Sequence, residues 1–547
     1  MRIRHWACLA LLAASLGLPL SSAHAEEPSD EIAALRERLD RLEAENRDLK
    51  ETVIQRLPAA DEAVPVSINA EALVDGGELE QAVEKVIKDR ESRKKAEEDL
   101  KKAEAAANGY EVGSDLGMSA NWKNGVEITS KNKDFRLHVG GRYQFDASWF
   151  DADPSVQGNI NNKYTDGVDF RRARFRIDGT MYETIEWAAE FDFVNSDRLA
   201  RSPSGNAVEA LTVPTDLWWT FTKLPILGNI RVGNQKEAIG FEHMVSSRFL
   251  PFMERSYNQD TFYGGAFNGF TPGISAFNSA LEDRATWNIG LYKPTNNAFA
   301  FNNNDGDYAI TGRLTALPWY VDDGRGLLHL GVSGRQATTF DDRIRFRTRD
   351  AIRSGLSATW PLPADTGNVF GSTMQWVNSE VAAVYGPWTL QAEYLVSLLS
   401  GATAADAAGN PTGPDLGNLC YHGGYVQLMY FLTGESDSYS FERASFDRVK
   451  PRENFFLVNS EDCRRLFGRG AWQTGVRYNY LDLNDKGING GQLHNFTAGL
   501  NWFLNPNMKV QFNYMMTYRT PSTVPSANYP AGAGWIDGWG VRWAHDF

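Results

Sequence analysis

The sequence predicts an all-β fold, a transmembrane antiparallel β-barrel of about 16 strands, preceded by an N-terminal α-helical coiled-coil segment. Three observations carry the prediction. Apolar and polar residues alternate with period 2 in many segments of residues 113–547, which is the pattern of strands with one greasy and one wet face. Aromatic residues are abundant, 16 Trp, 20 Tyr and 30 Phe, yet mean hydropathy is only −0.41, as expected where only alternate residues meet lipid. Beyond the N-terminus no apolar run reaches the roughly 20 residues of a membrane-crossing helix.

Residues 1–25 read as a secretory signal peptide. Arg2 and Arg4 form the basic start, Ala7 to Leu18 the apolar stretch, and Ala23-His24-Ala25 the small-residue cleavage site. Residues 26–57 read as a periplasmic coiled coil. Ile32, Leu39, Asn46 and Val53 fall at heptad position a, and Leu35, Leu42 and Leu49 at position d. Glu31 with Arg36, Arg38 with Glu43, and Glu45 with Lys50 are opposite-charge g-to-e′ pairs for a parallel assembly. Asn46 in the seam leans toward a dimer; a single helix packed on its own barrel is the alternative. Pro58 ends the coil, and residues 58–112 form a linker whose Glu-, Lys- and Ala-rich part, Glu78 to Ala107, suits a solvated helix.

Residues 113–547 are assigned to the barrel. In the first strand Phe135, Leu137, Val139, Tyr143, Phe145, Ala147 and Trp149 interleave with Arg136, His138, Arg142, Gln144, Asp146 and Ser148. Near the C-terminus Phe496 to Leu504, the turn Asn505-Pro506-Asn507 and Met508 to Tyr518 form a hairpin of alternating strands. Short turns such as Gly386-Pro387-Trp388 alternate with long polar connections such as Gly401 to Leu419. The chain ends on Phe547, sharing a face with Trp539, Val541 and Trp543; such an aromatic end is the expected signal for the barrel assembly machinery. A barrel built from about 430 residues encloses water rather than a packed core.

Composition excludes several function classes. The net charge of −14 argues against nucleic acid. With 8 His and no metal-binding spacing, nucleophile elbow or phosphate loop, neither an enzyme nor a cofactor or metal is expected. Cys8 lies in the leader; Cys420 and Cys463 fall toward opposite ends of the wall, which argues against a disulfide without closing the question.

Several stretches in order resemble the phosphate-selective porin O and P family: Tyr110 to Asp115, Phe135 to Phe150, Phe170-Arg171-Arg172-Ala173-Arg174, Val232 to Glu237, Ser246-Ser247-Arg248-Phe249, Phe252 to Ser256, Leu314 to Tyr320, Val381 to Tyr394, Tyr425 to Glu435 and Ala471 to Leu483. The resemblance implies a trimer of 16-stranded channels, each narrowed by an inward third loop. Here that loop is Lys236 to Phe262, carrying Lys236, Arg248 and Arg255 together with Glu237, Glu242, Glu254 and Asp260. The mixed charge argues against a purely anion-attracting constriction.

Face parity then nominates the lumen groups. Arg172, Arg174 and Arg176 lie on the wet face of the second strand, and Arg343, Arg345, Arg347 and Arg349 alternate with Ile344, Phe346 and Thr348. Arg313, Arg335 and Arg477 also fall on wet faces. Arginine suits oxyanions because its planar fork binds them bidentately and stays charged. Asp178, Glu190, Asp192, Asp216, Glu380 and Glu393 face the same way, so bracing and solute guidance stand even for Arg172, Arg174 and Arg176. The dense run from Arg343 to Arg349 leans toward guidance, or toward lipopolysaccharide if it is an external loop. The expectation is an outer-membrane porin, a passive channel for small anionic or polar solutes leaning to anions such as phosphate. The alternatives are a general porin whose stalk tethers the outer membrane to the cell wall and, weakest, an outer-membrane lipid hydrolase.

Overall fold

The computed structural model describes residue 41, residues 112–114 and residues 116–547, except 159–162, 202–207, 264–268, 295–307, 340–342, 354–359, 407–409, 460–464 and 523–531. The expected signal peptide, and the coiled coil and linker apart from Arg41 and Val112, lie outside the described residues, as does Cys463. The chain divides into two units, Met1–Ser114 and Asp115–Phe547, and the second is the barrel.

Its wall strands are β1 (Arg136–Ala152), β2 (Gly167–Met181), β3 (Ile185–Arg201), β4 (Val208–Leu224), β5 (Gly228–Lys236), β6 (Phe270–Ala280), β7 (Ala285–Tyr292) and β8 (Ala309–Val321). They continue as β9 (Gly326–Thr338), β10 (Thr373–Tyr385), β11 (Trp388–Ala404), β12 (Asp415–Phe431), β13 (Ala471–Asp485), β14 (Ile488–Asn505), β15 (Met508–Arg519) and β16 (Gly534–Asp546). Each pairs antiparallel with its sequence neighbours, and β16 returns to β1 from Ile536–Ala152 to Asp546–Arg142. Among the described residues this makes a closed 16-stranded barrel, so the wall has no open edge. A short hairpin, Met118–Trp122 with Val126–Ser130, pairs onto the start of β1.

The seam demands glycine at one point. Gly141 exchanges backbone hydrogen bonds with Phe547, at 2.7 and 3.0 Å. A Cβ on the preceding Gly140 would lie 2.4 Å from the Phe547 carbonyl oxygen, inside contact distance, so any side chain there pushes the closing strand away.

Alternation partitions the wall as the sequence predicts. Tyr143, Trp149, Val426, Phe496, Phe512, Trp539 and Trp543 are exposed on the outer face, while Arg142, Gln144, Asp146, Gln427, Asn513 and Arg542 are buried inside. The largest fully buried side chains are two arginines, Arg477 and Arg542. A soluble protein buries few such groups because a desolvated charge is costly unless paired; here each has carboxylate and carbonyl partners.

Three local features depart from the simple alternation. The β1–β2 ladder shifts register between Gln144 and Phe145, and Arg171 joins Arg172 in the interior, because a bulge adds one residue and breaks the period of two. Residues of the connection expected at 401–419 stay partly paired, with Ala402 opposite Gly417 and Thr403 opposite Asp415, so the loop itself is shorter. The two rims are also not uniform. Residues 432–470, a long segment, join β12 to β13 on the side where 182–184, 386–387 and 506–507 are tight turns, and 486–487 is a tight turn on the side of the long loops.

Candidate functional site

Among the described residues three long segments enter the lumen, and the first is the loop 237–269. After β5 the chain turns at Gly240, whose φ is 67° and whose Cβ would lie 2.6 Å from Glu393 Oε2. That close approach lets Glu393 on β11 accept hydrogen bonds from the backbone N–H groups of Phe241 at 2.9 Å and Glu242 at 2.7 Å, seating a single helical turn, α1 (Phe241–Met244). Nearby on β9, Ser333 accepts from the Gly240 N–H at 3.1 Å and Arg335 donates to Glu237 at 2.8 Å. Across the barrel, β1 reaches the same loop: Arg142 donates to Ser246 and Ser247, each at 3.1 Å, and Gln144 to the Ser247 carbonyl at 3.1 Å. β14 and β15 hold it through Asn501 to the Pro251 carbonyl at 2.8 Å and the Met253 N–H to Asn513 at 3.1 Å. Bonded to opposite walls, β1 and β9, the loop crosses the lumen and narrows it.

The second segment, 339–372, enters from the same rim. Phe346 packs against Phe262 of the first loop, centroids 5.7 Å apart, and against Tyr421 on the inner face of β12 at 5.1 Å. The third, 432–470, enters from the other rim: Phe446 meets Phe241 edge-on at 4.8 Å, and Tyr439 shares a 2.8 Å hydrogen bond with His329. Nothing in the sequence reading anticipated this third segment, since its strand pattern is too short to show a period.

Where the first two segments meet the wall, arginines gather around a few acids. Glu254 receives Arg171 at 2.8 and 3.1 Å and Arg542 at 2.9 Å, with Arg353 at 3.5 Å and Arg172 at 4.0 Å. Asp260 receives Arg349 at 2.7 Å and Arg353 at 2.9 Å, and Asp146 receives Arg542 Nε at 2.7 Å. Arg171, Arg349 and Arg353 also surround the Trp360 ring at 5.1 to 5.7 Å. Burial works to raise the Glu254 carboxyl, but the Arg171, Arg353, Arg172 and Arg542 guanidiniums outweigh it and hold it well below the usual carboxylate range. Asp260 is likewise lowered, against its burial, by Arg349 and Arg353. Five guanidiniums, Arg171, Arg172, Arg349, Arg353 and Arg542, therefore face four carboxyls, Asp146, Asp169, Glu254 and Asp260, which leaves an excess of positive charge at the waist.

The residues nominated from sequence divide by their partners. Arg174 pairs with Asp192 at 2.7 Å and Glu190 at 3.1 Å, and Arg176 with Asp178 at 2.8 Å and Asp216 at 2.7 Å. Arg313 donates to Glu380 at 2.9 Å and to the Arg443 and Ala444 carbonyls; Arg335 pairs with Glu237 and lies over the Trp376 ring at 4.5 Å. Arg172 instead donates to Gln144 at 2.8 Å. Lys236 and Arg255 donate to loop carbonyls, Lys236 to His243 and Val245, Arg255 to Glu242 at 3.0 Å and Val245 at 2.7 Å, so they staple the loop. Arg248 lies 3.7 Å from Asp546.

The run from Arg343 to Arg349 is not a wall strand. It lies in the segment 339–372, with Phe346 and Thr348 buried and Arg343, Arg345 and Arg347 exposed on the opposite side. Its charge is more compensated than the sequence suggests: Arg345 pairs with Asp365 and Arg349 with Asp260, acids distant in sequence. Arg142, Arg171, Arg353 and Arg542 were not nominated as guiding groups, and Glu254, named only among the acids of the loop, was not recognised as the hub of Arg171, Arg353 and Arg542. Arg142 and Arg542 sit on wet faces and parity flagged them; Arg171 is hidden by the bulge, and Arg353 follows no alternating pattern.

Residues 137–531 match the family described as phosphate-selective porin O and P. Porin O of Pseudomonas aeruginosa is 28% identical over 421 residues, covering 72% of this chain and 85% of that protein. An uncharacterized protein of Caulobacter vibrioides is 28% identical over 409 residues, 72% of this chain and 70% of its own length. A solved Salmonella typhi OmpF in complex with daunomycin is 11% identical, with a TM-score of 0.44 over 78% of this chain and 100% of that one. The matched span takes in fifteen of the wall strands and all three lumen segments, and this chain, an outer-membrane channel protein, belongs to the phosphate-selective porin O and P family.

Proposed function

We propose that the channel passes small solutes passively and leans to anions of the phosphate class. The observation that carries this reading is the arginine excess at the waist, where five guanidiniums face four carboxyls in a place from which bulk water is largely excluded. Charge in such a constriction sets which ion enters, because low-dielectric walls focus its field. The description of the family as phosphate-selective supports the same lean. The test is reversal potential in planar bilayers across a salt gradient, with phosphate exchanged for chloride. A clear anion preference is expected, and cation preference refutes the reading.

A second reading is favoured by the bracing of Arg174, Arg176, Arg313 and Arg335: a general, non-selective porin whose coiled coil, residues 26–57, tethers the outer membrane to the cell wall from the periplasmic side. Deleting Glu26 to Leu57 separates the roles. Unchanged conductance with a weakened envelope supports tethering; loss of oligomers supports assembly, with a trimer expected. Phe547, half-buried against the seam glycines, is the proposed recognition point for the barrel assembly machinery, and the exposed aromatic wall the surface for outer-membrane lipid. A lipid hydrolase is the least supported reading, and absence of lipid hydrolysis by the purified barrel would exclude it.

A further inference from the structure

We propose that Glu254 is a tethered anion occupying the oxyanion site of the waist arginines, so that a permeating phosphate-class ion must displace its carboxylate and the resting channel holds such ions weakly. The inference rests on the anion-channel reading above.

Bracing acids of the wall such as Asp192, Glu190, Asp216 and Glu380 bridge arginines no more than two strands away, as Asp192 on β3 does for Arg174 on β2 and Glu190 for Arg142 on β1. Glu254 differs. Its two oxygens collect guanidiniums from three separate elements: Arg171 and Arg172 on β2, Arg542 on β16 and Arg353 in the segment 339–372. Such convergence is what a free oxyanion would recruit, since the arginine fork matches carboxylate and phosphate alike.

Two further observations point the same way. The loop backbone is held independently of the carboxylate. Arg477 donates to the Glu254 carbonyl at 3.0 Å, Asn513 accepts from the Met253 N–H at 3.1 Å, and the Ser256 N–H donates to Glu242 at 2.8 Å. The side chain can therefore swing away without unseating the loop. The carboxylate also leaves a donor unused: Arg172 is 3% exposed, lies 4.0 Å from Glu254, and its Nε has no hydrogen-bond partner among the described residues. A carboxylate offers two oxygens and a phosphate four, so the incoming ion satisfies donors that Glu254 cannot.

The experiment measures, on the full chain in planar bilayers, the phosphate concentration that half-blocks chloride conductance. Glu254→Gln is expected to lower it at least about tenfold, equivalent to about 1.4 kcal/mol. Glu254→Asp keeps the charge but draws the carboxylate back by one methylene; it is expected to shift the value the same way, by several-fold. A role in the general field predicts no change for Glu254→Asp, and that result, or a raised half-blocking concentration in either variant, overturns the proposal. If Glu254→Gln yields no barrel, Glu254→Asp decides alone. A wild-type channel that prefers cations refutes the anion reading itself, whereas an anion-preferring wild type with unresponsive variants refutes only the role of Glu254.

Discussion

Replacing Glu393 by Ala removes the anchor that holds α1 against the wall. The Glu393 carboxylate accepts four hydrogen bonds: from the Phe241 N–H at 2.9 Å, the Glu242 N–H at 2.7 Å, Asn378 Nδ2 at 3.1 Å and the Tyr425 hydroxyl at 2.5 Å. A hydrogen bond to a charged group contributes about 1.5–3 kcal/mol, and a buried donor left without an acceptor costs about 1–3 kcal/mol. Asn378 and Tyr425 stay in the wall whether the loop is seated or not, so only the two backbone donors enter the seating equilibrium. Water in the vacated space recovers part of the loss. The expected destabilisation of the seated loop is about 2–4 kcal/mol, a shift of roughly 30-fold to 800-fold in the seated-to-released ratio. Single-channel recording should show it as larger and noisier open levels, and limited proteolysis should cut within 237–269. Glu393→Gln keeps one acceptor oxygen and should lie between wild type and Ala, which separates the hydrogen bonds from the charge. Wild-type conductance, noise and protease resistance in Glu393→Ala would refute the view that this carboxylate seats the loop.

Val426, 44% exposed on the outer wall of β12, changed to Arg should cost about 2–4 kcal/mol if it lies at the bilayer midplane, read as a lower denaturant midpoint in lipid. Gly140→Val, whose Cβ would meet the Phe547 carbonyl oxygen at 2.4 Å, should prevent closure of the seam, seen as loss of the heat-modifiable folded band on gels. The carboxyls of Glu254 and Asp260 are held below their ordinary values of 4.5 and 3.8. A depressed folded-state pKa contributes stability that is complete above the ordinary value and lost as pH falls below it. Open-channel noise should therefore be constant from neutral pH down to about 4 and rise at lower pH, as Asp260 releases Arg349 and Arg353 and the two lumen segments loosen.

The wall was legible in the sequence because its rule is local. A period of two says which residues meet lipid and which meet water without knowing which strands are neighbours, and the outer aromatic residues and inner polar residues fall where that rule puts them. The rule fails where a bulge inserts a residue, which is why Arg171 was assigned no place in the lumen while Arg172 was. It also says nothing about segments that are not wall strands. Arg343 to Arg349 alternate as a strand would, yet they run through a lumen loop, and Tyr439 and Phe446 of the connection after β12 enter from the opposite rim with no pattern to announce it.

By itself, then, the sequence determined the kind of wall and its inner and outer faces, and it pointed to an arginine-rich interior. Only the tertiary structure decided which arginines are spent on bracing and which converge on the waist. The reason is distance along the chain. Arg542 reaches Asp146, 396 residues away, and Arg477 reaches Glu242, 235 residues away, so whether a charge is compensated depends on barrel closure and loop inversion, neither of which is written in any local pattern. Parity could place an arginine in the lumen, but its partner, and hence its freedom to meet a solute, was fixed only when opposite walls and the inward loop came together.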